Sequence, residues 1–130
     1  MKYFKCFIFL NIFLIIEFEN HALCQTTTTS NDSILAKWKY DSTGCLRKRT
    51  IHDGKYLVDK YGLFGKSRSE LEAIIGRPNL EIIKPNRILI TYFIGGSCNL
   101  EGRLIKNHDF CYCQFVIVEG KIADVVYNCT

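Results

Sequence analysis

Residues 65–78 carry a complete set of start and stop signals for one short helix. Ser67 lies three residues before Glu70, so its hydroxyl can accept the Glu70 backbone N–H while the Glu70 carboxylate accepts the Ser67 N–H. Apolar residues follow at helical spacing on one face: Leu71, Ile74 and Ile75. Gly76 can adopt a left-handed conformation and Pro78 cannot continue a helix. The segment therefore predicts a capped helix with one face on a core.

The first 24 residues have the pattern of an export signal. Two lysines begin it, and an apolar stretch covers residues 7–16. This stretch is too short to cross about 30 Å of hydrocarbon, which disfavours a membrane span. Small residues stand at Ala22 and Cys24, where a signal peptidase inspects the chain. The predicted mature protein begins at Gln25.

Cys24 also allows a second interpretation, in which it carries a lipid. The residues before it, 20–23, lack the small residue that a bacterial lipoprotein signal places directly before its cysteine. We therefore expect membrane attachment only if Cys24 is lipidated. Residues 25–40 include four consecutive threonines and are predicted to be a polar lead-in, and residues 41–130 a single domain.

The charge of the chain does not indicate a nucleic-acid partner. Its net charge is +4, and the densest basic run is Arg47-Lys48-Arg49. Nucleic-acid surfaces are usually larger basic stripes than this. We expect no nucleic acid to bind and interpret the run as a solvated helix face.

The pattern of apolar residues predicts an α+β fold. Helical spacing over residues 46–61 predicts a first helix, shortened or broken near Gly54 because glycine inside a helix costs about 1 kcal/mol. The capped helix is the second. Residue runs rich in β-branched and aromatic side chains predict three strands, over 87–94, 110–118 and 121–129. We therefore expect two helices followed by a three-stranded antiparallel meander, in two layers.

One family resemblance rests on these elements. The pattern G-x-S-x-x-E-L-x-x-x-I-G-x-P runs from Gly65 to Pro78, and Ile90-Thr91-Tyr92 and a hairpin over residues 115–122 follow it. Over about residues 62–128 the chain resembles the SmpA/OmlA (BamE-like) family of small envelope proteins, whose fold class includes the repeats of the β-lactamase inhibitory protein. The resemblance implies export to a bacterial envelope, as in small exported proteins of the Bacteroidetes type. It implies a binding or assembly role and supplies no catalytic residues.

Five cysteines follow the predicted cleavage site: Cys45, Cys98, Cys111, Cys113 and Cys129. An odd number in an oxidising compartment predicts two disulfides and one free thiol. A bond from Cys98 to Cys111 or Cys113 would span the loop after the first predicted strand. A bond between Cys45 and Cys129 would close a loop of about 85 residues and stabilise the fold by about 4–5 kcal/mol. Other pairings remain open.

The same region offers an alternative as a thiol or zinc site. Cys98, His108, Cys111 and Cys113 supply the sulfur and nitrogen donors that zinc prefers. Their spacing is not that of a zinc knuckle, and disulfide formation competes for the thiols outside the cytoplasm. A thioredoxin-like site is disfavoured because no cysteine pair begins a helix. We therefore expect no cofactor.

The predicted function is binding rather than catalysis. We expect a protein partner in the envelope, bound through the sheet or the helix pair. A second alternative, inhibition of a secreted or periplasmic enzyme, rests on analogy of fold alone. The neighbours His52 and Asp53 are not expected to form a catalytic pair. Aromatic residues are expected in the core rather than at a ligand site: Trp38, Tyr40, Tyr92, Phe93 and Tyr127.

Overall fold

Three helices pack on one face of a four-stranded antiparallel sheet in the computed structural model, which describes residues 32–105 and 109–130. The helices are α1 (Ser33–Tyr40), α2 (Ile51–Tyr61) and α3 (Arg68–Ile75). The strands are β1 (Leu80–Lys84), β2 (Arg87–Gly96), β3 (Phe110–Val118) and β4 (Lys121–Cys129), and they lie side by side in that order. The predicted α+β class is confirmed. The prediction of two helices and three strands is wrong because it omits α1 and β1.

Helix α1 occupies the last eight residues of the segment predicted to be a polar lead-in. The Asp32 carboxylate caps it by accepting the backbone N–H groups of Ile34 at 3.0 Å and Leu35 at 3.1 Å. Trp38 from this helix is buried in the core. The folded domain therefore includes residues that precede position 41. The predicted export signal, Cys24 and the earlier part of the lead-in lie outside the described residues.

Helix α2 begins later than its apolar pattern predicts. Thr50 caps it, and the Asp53 carboxylate accepts the Thr50 backbone N–H in a reciprocal capping box. Gly54 lies directly after this box. A Cβ atom at Gly54 would lie 3.1 Å from the ring of Tyr127, so glycine allows the first turn of α2 to approach the sheet closely.

Helix α3 confirms the predicted capping box. The Ser67 hydroxyl accepts the Glu70 N–H, and the Glu70 carboxylate accepts the Ser67 N–H at 2.7 Å. Gly76 ends the helix with a φ of 92° and a ψ of −179°. This conformation is not the predicted left-handed helical one, although its positive φ equally favours glycine.

Strand β1 is the second element that the sequence pattern did not reveal. It has five residues between Pro78 and the turn at Pro85-Asn86, and it pairs with β2 from Leu80↔Thr91 to Lys84↔Arg87. Such a short strand contains too few alternations of polar and apolar residues to be recognised in the sequence. Its presence moves β2 from the edge of the predicted meander to the interior of the sheet.

The core lies between the helices and the sheet. The buried residues of the sheet alternate along the strands and face the helices: Ile90, Tyr92, Ile94, Cys113, Phe115, Ile117 and Ile122. Helix residues complete this core: Trp38, Leu57, Val58, Leu71 and Ile75. Of the aromatic residues expected inside, Trp38 and Tyr92 are buried and Tyr40 is exposed. The helices thus cover one face of the sheet.

Arg49 contradicts the interpretation of its basic run as a solvated helix face. Its side chain is only 4% exposed. Its Nε donates to the Trp38 carbonyl at 2.8 Å, and its Nη1 donates to the Phe93 carbonyl at 3.0 Å and to Asn79 Oδ1 at 3.3 Å. Burial lowers the pKa of Arg49 to about 10, so it stays charged at neutral pH. A single guanidinium therefore joins α1, the loop before β1 and β2.

Candidate functional site: the open face of the sheet

The face of the sheet opposite the helices is open and mostly apolar. Pairing between the strands arranges its residues in three rows. The rows are Ile82, Leu89, Val116 and Asp124; then Leu80, Thr91, Gln114 and Val126; then Phe93, Tyr112 and Asn128. We call this surface the open face. Asp124 is the only charged residue in these rows, and beyond the first row the same face continues to the basic residues Lys84, Arg87 and Lys121.

The exposure of the open face is greatest near the two edges of the sheet. Ile82 on β1 is 39% exposed and Val126 on β4 is 40% exposed. Near the centre, Gln114 Nε2 donates to Thr91 Oγ1 at 2.9 Å, so these two polar side chains form a hydrogen bond with each other. A sheet with one face in the core usually presents polar residues on the other. The apolar rows on this sheet are therefore a candidate binding surface.

Aromatic rings occupy one end of the open face. The rings of Phe93 and Phe110 lie edge to face with centroids 5.8 Å apart, and Phe110 and Tyr112 are 5.7 Å apart. Asn128 Nδ2 donates to the Tyr112 hydroxyl at 3.2 Å. Aromatic side chains with a hydrogen-bonding handle are frequent anchors at protein interfaces. The sequence did not indicate this cluster because it assembles from two strands.

The five cysteines within residues 32–105 and 109–130 form two disulfides and leave one thiol, which agrees with the predicted number. The bonds join Cys45 to Cys98, with Cα atoms 5.8 Å apart, and Cys111 to Cys129, with Cα atoms 4.0 Å apart. The predicted Cys45–Cys129 and Cys98–Cys111 or Cys98–Cys113 bonds are therefore wrong. The first observed bond fastens the loop before α2 to residues 97–105, where Cys98 pairs with Leu104 in an isolated bridge.

A bulge in the last hairpin explains the second bond. Next to the turn, Val118 lies opposite Lys121 and Ile117 opposite Ile122, but Val116 lies opposite Asp124. Ala123 is the extra residue. If the pairing next to the turn continued without the bulge, Cys111 would lie opposite Asn128. The shift of one residue places Cys111 opposite Cys129 instead.

Cys113 is the free thiol and it belongs to the core. It is 0% exposed. Burial raises the pKa of Cys113 to about 12, although its hydrogen bond with Tyr127 acts in the opposite direction. A thiol held protonated and away from solvent is a poor nucleophile and a poor metal ligand.

The alternative thiol or zinc site does not assemble among the residues described. Cys98 and Cys111 are committed to different disulfides, and Cys113 is enclosed. His108 lies outside the described residues. Within residues 32–105 and 109–130, no group of three or more histidine, cysteine, aspartate or glutamate side chains is placed to hold a metal ion.

The helix signature that carries the family resemblance lies away from the open face. Ser67 and Glu70 serve to cap α3. Gly65, with a φ of 77°, donates its N–H to the Ile122 carbonyl at 2.9 Å, and the Ile122 N–H donates to the Lys66 carbonyl at 2.9 Å. These two bonds cover the first part of the β4 edge. The signature residues therefore have structural roles. Asp53, which closes the capping box of α2 and lies next to His52, also has a structural role.

Comparison of the chain with protein-family models, curated proteins and solved structures finds no match. The resemblance to the SmpA/OmlA family stays a prediction. No helix of the described chain is long and apolar enough to cross a membrane.

Proposed function

We propose that this chain is an exported, disulfide-stabilised protein that binds a protein partner in the cell envelope through the open face of its sheet. The observation that carries the proposal is the arrangement of apolar side chains from all four strands in rows on that face. These rows contain one charged residue, and the basic residues Lys84, Arg87 and Lys121 lie beyond them. The proposed role is non-catalytic.

Burial of the open face by a partner would remove apolar surface from water. Each Å² of apolar surface buried contributes about 25 cal/mol before the costs of association. The side chains whose burial would contribute most are the partly exposed Ile82 and Val126 and the half-buried Leu89 and Phe93. The same residues contribute little to the core, because they lie on the opposite side of the sheet from the helices. A binding role accounts for apolar residues in these positions.

The two disulfides support the export part of the proposal. Disulfides persist in oxidising compartments and are rare in the cytosol. Both bonds lie in the described domain and fasten its loops and its last strand. The apolar stretch over residues 7–16 supports the same compartment. The resemblance to small envelope proteins adds the expectation of a binding or assembly role.

A photo-crosslinking amino acid placed at Val126 tests the proposal in cells that produce the protein naturally. We expect irradiation to give a covalent adduct of discrete mass, since Val126 lies within the proposed interface. The matched control carries the same amino acid at Ala73, which is exposed on α3. We expect no such adduct from Ala73.

A second substitution checks that the adduct depends on the open face as a whole. Ile82→Asp introduces a charge into the apolar rows on the strand farthest from Val126. We expect it to abolish the adduct while the thermal unfolding midpoint changes little, because Ile82 is at a sheet edge and partly exposed. Adducts from Ala73 alone, or a Val126 adduct unaffected by Ile82→Asp, would contradict the proposed binding face.

A further inference from the structure

A groove of about 450 Å³ lies at the end of the sheet where β2 ends and β3 begins. Gly95 and Gly96 line it, together with Phe110 and the Cys111–Cys129 disulfide. Gly95 follows the bulge in β2, and a Cβ atom built on it would meet no atom within 4 Å. The space above this glycine is therefore open to a ligand. The groove adjoins the aromatic end of the open face through Phe110, but none of its lining residues belongs to the three rows.

Two arginines line the same groove. Arg47 is exposed, whereas Arg49 is buried and held by its contacts with Trp38, Asn79 and Phe93. Those contacts use Nε and Nη1 of Arg49. Its Nη2 has no hydrogen-bond partner in the described part of the chain, and Arg49 is among the residues that line the groove. One nitrogen of a fixed guanidinium is thus available to a ligand.

Neither arginine forms an ion pair with a carboxylate of residues 32–105 or 109–130. Asp41 is the carboxylate that interacts electrostatically with Arg49. Its carboxylate already accepts the backbone N–H groups of Leu46 at 3.1 Å and Lys48 at 2.8 Å. A buried cation without a paired anion is costly unless other groups stabilise it. Carbonyl groups and the Trp38 ring stabilise Arg49, and an anionic ligand in the groove would add a directly bonded negative partner.

We propose that this groove binds a small organic carboxylate, with its carboxylate between Arg49 and Arg47 and its apolar body against Phe110 and the Cys111–Cys129 disulfide. The arginine side chain forms strong charge-assisted hydrogen bonds with carboxylates. The apolar lining favours a ligand with a hydrocarbon or aromatic body.

The negative charge of Asp109 favours a carboxylate over a more highly charged anion as the ligand of the groove. It lines the same groove and brings a negative charge to it. A phosphate dianion would be repelled more strongly by Asp109 than a monoanion, and a single free Nη2 with one exposed arginine offers few donors for its oxygens. The groove therefore suits a singly charged ligand.

Titration of the full, oxidised chain with phenylacetate, followed by calorimetry at low ionic strength, tests the proposal. We expect saturable binding, and we expect Arg47→Gln to weaken it roughly tenfold because a charge-assisted hydrogen bond is lost. Arg103→Gln is the matched control, since Arg103 is an exposed arginine that does not line the groove. We expect it to leave the affinity unchanged.

Asp109→Asn provides a variant that is expected to gain affinity. Removal of the negative charge should tighten phenylacetate binding and should also raise the affinity for inorganic phosphate. In the unmodified protein we expect phosphate to bind more weakly than phenylacetate. The proposal is overturned if phenylacetate shows no saturable binding, if Arg47→Gln binds it as well as Arg103→Gln does, or if phosphate binds as tightly as phenylacetate.

Discussion

At the scale of single residues, Gly44 makes the closest backbone approach in the loop between α1 and α2. Its φ is 76°, and a Cβ atom on it would lie 2.8 Å from the Phe93 carbonyl oxygen and 2.9 Å from Phe93 Cβ. The loop that carries Arg47 and Arg49 is therefore seated directly on β2. Gly65 has nearly the same φ, 77°, but nothing lies within 4 Å of its Cβ position.

These two glycines allow backbone strain and steric clash to be separated. We expect Gly65→Ala to cost about 1 kcal/mol of unfolding free energy, because an L-residue is disfavoured at positive φ. Gly44→Ala should cost roughly 2 kcal/mol more, since its new methyl group also displaces β2. Urea unfolding of the two variants with the disulfides intact measures the difference. Equal losses would mean that the loop does not lie against Phe93.

Cys113 is expected to be unreactive in the folded protein. Its thiol has no exposed surface, and burial raises its pKa to about 12, so at pH 8 it is protonated and enclosed. A thiol reagent at pH 8 should therefore label native protein very slowly. After unfolding in denaturant without reductant it should label Cys113, while the four disulfide-bonded cysteines stay unlabelled. Rapid labelling of native protein would place Cys113 at the surface.

At the scale of elements, the start of α2 depends on a nearly buried carboxylate. Asp53 closes the capping box with Thr50 and accepts a hydrogen bond from Lys37 Nζ on α1 at 2.8 Å. Burial acts to raise the pKa of Asp53, but the hydrogen bonds from Lys37 and Thr50 outweigh it and lower the pKa below the ordinary 3.8. This carboxylate therefore joins two helices only while it is ionised.

The pH dependence of stability follows from that lowered pKa. The contribution of Asp53 is present above about pH 4, the ordinary range for aspartate, and is lost as the pH falls through the lower pKa of the folded state. We expect Asp53→Asn to destabilise the protein by about 1–2 kcal/mol at pH 7, typical for loss of a cap and its ion pair. Urea unfolding near pH 2 should show a much smaller difference.

Asp59→Asn is the control for this measurement. Asp59 is exposed in the same helix and is outside the capping box. Its substitution should change the stability by no more than about 0.5 kcal/mol at pH 7. A difference between Asp53→Asn and the unmodified protein that persists unchanged at pH 2 would mean that the Asp53 charge does not stabilise α2.

At the scale of the whole molecule, the two disulfides constrain loops of different length. The Cys45–Cys98 bond joins residues 53 positions apart and links the loop before α2 to the segment after β2. The Cys111–Cys129 bond joins residues 18 positions apart in neighbouring strands. A longer loop has more conformational entropy in the unfolded chain, so its closure stabilises the folded state more.

We therefore expect loss of the Cys45–Cys98 bond to be the more destabilising. Replacing both of its cysteines by serine should lower the unfolding free energy by about 4 kcal/mol, against about 3 kcal/mol for the Cys111 and Cys129 pair. Urea unfolding of the two double variants, with Cys113 present in both, measures the order. A larger loss from the β3–β4 bond would show that native contacts in the hairpin outweigh chain entropy.

Short-range signals were sufficient to predict several parts of this fold. The capping box, the apolar face and the terminal glycine of α3 all lie within residues 65–78, and each acts over about one helical turn. The strands β2, β3 and β4 were visible as runs of β-branched and aromatic residues. The number of disulfides followed from an odd count of cysteines. None of these inferences required knowledge of which elements touch.

Contacts between distant residues decided the rest. The single extra residue Ala123 sets the register of β4, and that register pairs Cys111 with Cys129. Arg49 is buried because α1 and β2 place carbonyl groups around it, although its neighbours in sequence suggest a surface. The open face joins side chains from four strands, one of them undetected. Register and burial are properties of packed elements, and a sequence pattern reports only the local preferences from which they are built.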